Sequence, residues 1–236
     1  MSAPPLSVVI PAYNETARLE PSLRRVIAYL QKHEPGGEIL VVDDGSTDAT
    51  PELVRDVARD FDQLRVIELG VNRGKGAAVR EGMLAARGDH VLFTDADLAT
   101  PIDELAKLRA SLAAGYDIAI ASRALPGAQI QVRQNMLREL IGRSFNAIVR
   151  SIGLSAFKDT QCGFKLFTRE AAHDLFARAT VDGFAFDVEV LLLARGTYRV
   201  DEVPVVWLHV EESKVSRRSG ARAFVDLIKL RFTHRK

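Results

Sequence analysis

Five short apolar runs, rich in β-branched residues, alternate with stretches of helical spacing through the first half of the chain. The runs are Leu6 to Ala12, Glu38 to Asp44, Leu64 to Leu69, His90 to Asp97 and Tyr116 to Ser122. Between the first two, Leu19, Leu23, Val26, Ile27 and Leu30 recur at the three- and four-residue steps of an amphipathic helix. Pro51 near a helix start, Gly76 to Arg87, and a helix opening after Pro101 continue the pattern, with Ser46 or Thr47 expected as the cap before Pro51. Apolar strands alternating with helices predict βαβ units and an α/β fold. Its central sheet is mostly parallel and covered by helices on both faces. Ligands of such sheets bind beyond the carboxyl ends of the strands.

The polar residues follow that rule. Tyr13-Asn14-Glu15 comes after the first run and Asp43-Asp44-Gly45-Ser46 after the second. Asn72 to Gly76 follows the third, Asp95-Ala96-Asp97 the fourth and Ser122-Arg123 the fifth. Five such clusters on one sheet edge describe a ligand site. An acidic pair ending a buried strand is a poor core element, because unpaired buried charge is costly. At the ligand edge, Asp95 and Asp97 suit a hard cation, Mg2+ or Mn2+, whose shell substrate phosphates complete. One of Asp43 and Asp44 can accept hydrogen bonds from a base or ribose. Lys75, between Gly74 and Gly76 at a helix start, can meet an anion. The spacing is not that of a Walker A loop.

After Arg123 the pattern loosens. Residues 124–154 read as a loop and an arginine-studded helix bearing Arg133, Arg138, Arg143 and Arg150, without a strand. "GFKLFTREAAHDLF" reads as a strand and helix, "FAFDVEVLLLARG" as a helix ending at Gly196, and "YRVDEVPVVWLHV" as a strand. The last helix carries Phe224, Val225, Leu227, Ile228 and Leu230 with Arg222, Lys229, Arg231, Arg235 and Lys236. Such a basic amphipathic helix can lie on an anionic bilayer or pack on the domain.

At 236 residues and 47% hydrophobic content, the chain suits one domain. We divide it after Arg123 into two halves, 1–123 and 124–236. Thirty-two basic against 31 acidic residues give no charge excess to attract nucleic acid. The single cysteine, Cys162, excludes an internal disulfide framework and is expected to be a small buried residue in a reducing compartment. His33, His90, His173, His209 and His234 have no metal-binding spacing. The opening "MSAPPLSVVIPAYNE" has no basic segment before a long apolar one, so no signal peptide is expected. No apolar run approaches the roughly 18 residues of a membrane span.

The motifs "VVIPAYNE", "VVDDGSTDAT", "NRGKGAAVREG", "TDADLATP", "ASR", "DTQCGFKLFTREAA", "FAFDVEVLLLA" and "EVPVVW" through "ESKV" occur in that order. Together they resemble inverting glycosyltransferases of family 2 with the GT-A, or nucleotide-diphospho-sugar transferase, fold. Within that family they are similar to the dolichyl-phosphate glucosyltransferase and polyprenyl-phosphate glycosyltransferase branch, which the "DTQCGFKLFTR" segment sets apart. Mycobacterial polyprenyl-phospho-N-acetylgalactosaminyl synthases look like members of that branch without membrane spans. The resemblance implies a UDP-sugar donor, a divalent metal and a polyprenyl phosphate acceptor, with 1–123 as the nucleotide-binding half and 124–236 as the acceptor-binding half. It implies an enzyme peripheral on the cytoplasmic membrane face, with a small membrane-protein partner as a candidate. It places Pro11, Tyr13, Glu15, Asp43 and Asp44 at the nucleotide, with Lys75, Asp95 and Ala96. Asp95 and Asp97 would hold the metal and diphosphate. Arg123 and Arg138 match acceptor-phosphate arginines, and Gln161 and Lys165 would shape the acceptor or sugar site. Asp187 and Glu189 are candidates for the sugar hydroxyls. Asp97, Arg123, Arg138 and Lys75 would carry the chemistry.

Alternatives stay open. A GDP-mannose donor or a non-lipid acceptor would suit the same motifs, and a non-catalytic nucleotide-sugar binder would keep the same site. A sugar-nucleotide pyrophosphorylase should show a glycine-rich loop after the first strand, where this chain has "PAYNE".

Overall fold

The computed structural model describes residues 3–130, 149, 153–208 and 223–230. A seven-stranded sheet runs through it in the order β3-β2-β1-β4-β7-β5-β8. The strands are β1 (Leu6–Ala12), β2 (Glu38–Asp43), β3 (Leu64–Glu68), β4 (His90–Thr94), β5 (Ile118–Ser122), β7 (Phe164–Thr168) and β8 (Val200–Pro204). β6 (Gln129–Ile130) and β9 (Val206–Trp207) form a separate two-stranded ribbon. β6 falls in a segment read from sequence as lacking strands. At two exposed residues, it has no apolar alternation to reveal it.

β1 pairs in parallel with β2 and β4, and β2 with β3. β7 is the one reversed strand, antiparallel to both β4 and β5. Two reversals restore direction, so β5 runs with β4, and the ends of β1 to β5 share one edge of the sheet. The five polar clusters therefore converge there, as a mostly parallel sheet requires.

Strand alternation serves two cores. On one face Val9, Leu40, Val42, Val91, Phe93, Ile118 and Ile120 pack with α3 (Lys75–Ala85), α5 (Arg169–Arg178), α6 (Phe186–Ala194) and the helical residues 223–230. On the other, Val8, Ile10, Ile39, Val41, Leu92, Ala119 and Ala121 pack with α1 (Leu19–His33), α2 (Thr50–Ala58) and α4 (Leu105–Ala113). A 3-10 turn over Ile102–Glu104 precedes α4.

Helix 223–230 buries Ala223, Leu227 and Leu230 on the domain and leaves Val225 and Ile228 exposed. Neither Ser46 nor Thr47 caps α2, which starts at Thr50. The Ser46 hydroxyl instead accepts the Asn14 N–H at 2.8 Å, tying the loop after β1 to the loop after β2. Among the described residues, no helix is long and apolar enough to cross a membrane.

Candidate active site

The acidic pair sits where β4 stops. Ala96 turns into the core on the α1 face, leaving its neighbours Asp95 and Asp97 at the sheet edge. Asp97 accepts the Ala99 N–H at 3.1 Å, closing a tight turn. That turn forces Leu98 to φ 46°, a left-handed conformation that a leucine adopts only under constraint. Asp95 is held from β7's approach, donating its N–H to the Gly163 carbonyl at 3.0 Å. A Cβ on Gly163 would lie 2.1 Å from the Asp95 carboxylate, so a side chain there would evict it.

Cations surround the pair. Lys75 Nζ lies 2.6 Å from Asp95 Oδ1, and its ammonium faces the rings of Phe93 and Phe184 at 5.4 and 5.8 Å. Burial works to lower the Lys75 pKa, but Asp95 and Asp187 outweigh it, so the ammonium stays charged. Arg18 pairs with Glu15 through Nε and Nη2 and brings Nη1 to 3.9 Å from Asp97. Arg18 escaped the sequence reading. It sits one turn past the "AYNE" motif in a stretch whose other charges are solvated helix residues.

The two adjacent aspartates after β2 divide their work. Asp44 accepts the Arg73 and Gly74 N–H groups at 2.7 and 2.8 Å and so holds the loop before Lys75. Burial, helped by Asp43 and only partly offset by those amides, raises its pKa. Asp43 accepts the Ser46 N–H with Oδ2 at 3.0 Å. Its Oδ1 is buried with no hydrogen-bond partner among the described residues. A buried carboxylate oxygen left open at a ligand edge calls for a donor that the described residues do not supply. Pro11 is buried on β1 beside Val42, and Tyr13 is exposed at the rim.

Two sequence candidates lie behind the site. Lys165 is buried and donates to Asp187 Oδ1 and to the Cys162 carbonyl, both at 2.6 Å. This pair sits under Phe93, whose ring centroid is 5.8 Å from Lys165 Nζ. It supports the Lys75–Asp95 contact and does not line an open surface. Glu189 is turned away. It accepts the N–H groups of Thr180 and Val181 at 2.9 and 2.8 Å and the Thr180 hydroxyl at 2.7 Å. The structure gives that carboxylate to the loop before α6, not to the acidic pair. Arg123, at the end of β5, makes a two-pronged pair with Asp159 at 2.6 and 2.9 Å. Gln161 is half-buried two residues on, its N–H on Asp159 Oδ1 at 3.2 Å. Arg138 lies outside the described residues. Cys162 is buried beside Thr100, and burial pushes its thiol up to about 11, too high for a nucleophile near neutral pH.

The residues fit a hard divalent cation. Two carboxylates stand together with room made for them, and among the described residues no third His, Cys, Asp or Glu joins them. Such a half-built set leaves coordination positions for substrate oxygens and water.

Known proteins of this shape share the architecture. Mycobacterium tuberculosis glucosyl-3-phosphoglycerate synthase, solved with Mn2+ and UDP-glucose, superposes with a TM-score of 0.72 at 20% identity, covering 97% of this chain and 79% of that one. A Pyrobaculum calidifontis mannosyltransferase, solved with GDP-mannose and Mn2+, gives 0.65 at 24% identity, covering 97% and 65%. The fold is thus of GT-A architecture. The glycosyl transferase family 2 model matches residues 7–176. Dolichyl-phosphate beta-glucosyltransferases of Saccharomyces cerevisiae and Homo sapiens are each 38% identical, over 89% of this chain and 69% of their own. One from Trichomonas vaginalis is 40% identical over 94% of this chain and 69% of its own. The chain belongs to glycosyl transferase family 2.

Proposed function

We propose that the chain transfers glucose from UDP-glucose to a polyprenyl phosphate, inverting the anomeric centre, with Mg2+ or Mn2+ on Asp95 and Asp97. The observation that carries this reading is the meeting, on one sheet edge, of the acidic pair with the open Oδ1 of Asp43. One suits a diphosphate-bound cation and the other a nucleobase donor. The relatives' shared activity supports glucose, and an N-acetylhexosamine donor is the alternative that the assay below separates.

Bound at the pair, the cation would neutralise charge on the departing diphosphate. The rest falls to the chain. Asp43 accepts from the base, and Lys75 offers its ammonium to the diphosphate side of the pair. Arg123 holds the acceptor phosphate, as a planar guanidinium suits phosphate oxygens, and Arg138 is its expected companion. A phosphate monoester is already anionic near pH 7. It can attack the anomeric carbon without a strong general base, so positioning and electrostatics carry the reaction. The exposed Val225 and Ile228 lie on one face of helix 223–230, and basic residues follow in the sequence. They support a peripheral seat on a cytoplasmic membrane surface, alone or with a membrane partner.

A transfer assay with radiolabelled UDP-glucose, UDP-N-acetylgalactosamine and GDP-mannose against polyprenyl phosphate tests the reading. Labelled lipid from UDP-glucose alone is the expected result. Nucleotide-sugar binding without turnover on any lipid or soluble phosphate would make the chain a binder instead.

A further inference from the structure

A solvated arginine samples many rotamers, and recognising one phosphate requires one orientation. The structure fixes Arg123 from three sides. Asp159 takes the Nε and Nη2 edge at 2.6 and 2.9 Å, and its Oδ2 also accepts the Arg123 backbone N–H at 3.0 Å. Asp159 is itself anchored. Glu202 on β8 accepts the Asp159 N–H at 2.8 Å and the Lys158 N–H at 3.0 and 3.1 Å. Over the guanidinium lies Trp207, with its ring centroid 5.6 Å away. The next residue, Leu208, donates to the Ala99 carbonyl at 2.7 Å, and Ala99 closes the Asp97 turn. One stretch, residues 202–208, therefore anchors Asp159, covers Arg123 and joins the turn that carries the acidic pair.

The clamp does not use up the guanidinium. A guanidinium has five donors in a fixed plane. Asp159 takes two, and Nη1 makes no hydrogen bond to a described residue. The unclaimed Nη1–Nη2 edge is a second fork, carried by a residue that directly follows β5.

We propose that Asp159 is a positioning residue, backed by Glu202, that holds Arg123 by one edge so that the other edge is presented to the acceptor's phosphate monoester. The inference rests on the reading above that Arg123 meets that phosphate. Asp159 never touches the acceptor and acts through the guanidinium alone.

The chain has a single tryptophan, so intrinsic emission reports this clamp directly. The probe is farnesyl phosphate, a short prenyl phosphate monoester, used with the full chain. In the parent protein it should change Trp207 emission. Asp159→Asn should raise both the emission midpoint and the KM for farnesyl phosphate by about tenfold, with UDP affinity within about twofold of the parent. Arg123→Lys keeps the charge but loses the fork, and should raise the KM similarly. The double variant should be no worse than the worse single variant, because Asp159 has nothing left to position.

Additive losses, or an unchanged KM in Asp159→Asn beside a raised one in Arg123→Lys, would overturn the positioning role alone. An unchanged KM in Arg123→Lys would overturn the acceptor reading and this inference with it. If melting curves show that Asp159→Asn does not fold, Glu202→Gln carries the same test. It should move the emission midpoint and KM in the same direction by a smaller factor, and no movement in either would count against the proposal.

Discussion

The two ends of the central sheet both bury carboxylates, and they treat them in opposite ways. At the amino end of β2, Glu38 is saturated. It accepts from the Ser7 hydroxyl at 2.6 Å, the Arg87 N–H at 2.8 Å, and the Arg87 and Arg65 guanidinium groups at 2.9 to 3.2 Å. Burial alone would raise its pKa, but these partners outweigh it and hold the carboxyl below the usual glutamate range. At the carboxyl end of the same strand, Asp43 keeps one oxygen buried and open. Beyond β4, burial and the charge of Asp95 raise the pKa of Asp97, more than the Ala99 amide, Arg18 and Lys75 can offset. One end of the sheet uses its charge to hold the fold. The other leaves charge unsatisfied, a cost a fold sustains where a ligand supplies the missing partner.

Breaking the ligand end should therefore cost activity and spare stability. The largest effect is expected from Asp97→Ala, which removes one of the two carboxylates proposed to hold the cation. Transfer should fall by roughly a thousandfold or more, a few kcal/mol of transition-state stabilisation. The melting temperature should not fall, since a half-buried carboxylate of raised pKa is removed. Initial rates and calorimetric melting check both halves, and full activity would end the metal reading. Next comes Gly163→Ala. Its methyl would stand 2.1 Å from the Asp95 carboxylate, which must then swing away. A displacement of that order costs about a hundredfold in rate. The lost fraction should not return at high UDP-sugar, because the defect lies in where the carboxylate sits.

Much of this division was legible in the sequence, for a physical reason. A parallel sheet buried on both faces writes itself as β-branched runs, and its ligand edge as polar breaks after them. So β1 to β5, the acidic pair and Asp43 could be placed from local pattern. Contacts bridging long separations could not be. Nothing near Asp95 announces that Gly163 clears its space, nor does Arg123 announce Asp159, 36 residues on. β7 reads as a strand, but its reversed place between β4 and β5 depends on pairing, which periodicity does not encode. Asp187 and Glu189 sit two residues apart on a helix buried on nearly all sides. Spacing alone did not separate one that supports the site from one that holds a loop.

The saturated end gives the third prediction. Glu38→Gln should cost about 2 kcal/mol of unfolding free energy near neutral pH, the worth of hydrogen bonds to a charged group. The specific activity of folded protein should not change. The pH dependence has a definite sign. Because the folded-state pKa of Glu38 lies below its unfolded value, its contribution is present above the ordinary glutamate range. It is lost as pH falls through the folded pKa. Urea unfolding at pH 7 and at acid pH should show the parent and the variant converging as pH drops. A constant gap would mean that the residue acts by packing rather than charge.

The smallest effect, and the finest test of the contrast, is Asp43→Asn. The two side chains have nearly the same shape, and the amide oxygen can keep the Ser46 N–H bond of 3.0 Å. What changes is the other atom, which becomes a donor where the structure leaves an acceptor open. If that oxygen waits for a base N–H, two donors then face each other, and UDP affinity should fall about tenfold, the worth of one buried hydrogen bond turned against itself. If it were only an imperfectly satisfied structural carboxylate, neutralising it would relieve an unpaired buried charge, raise the melting temperature and leave UDP binding alone. Titration calorimetry with UDP and thermal melting on the same variant separate the two outcomes. A rise in stability together with a loss of UDP affinity would show that this end of the sheet trades stability for the ligand.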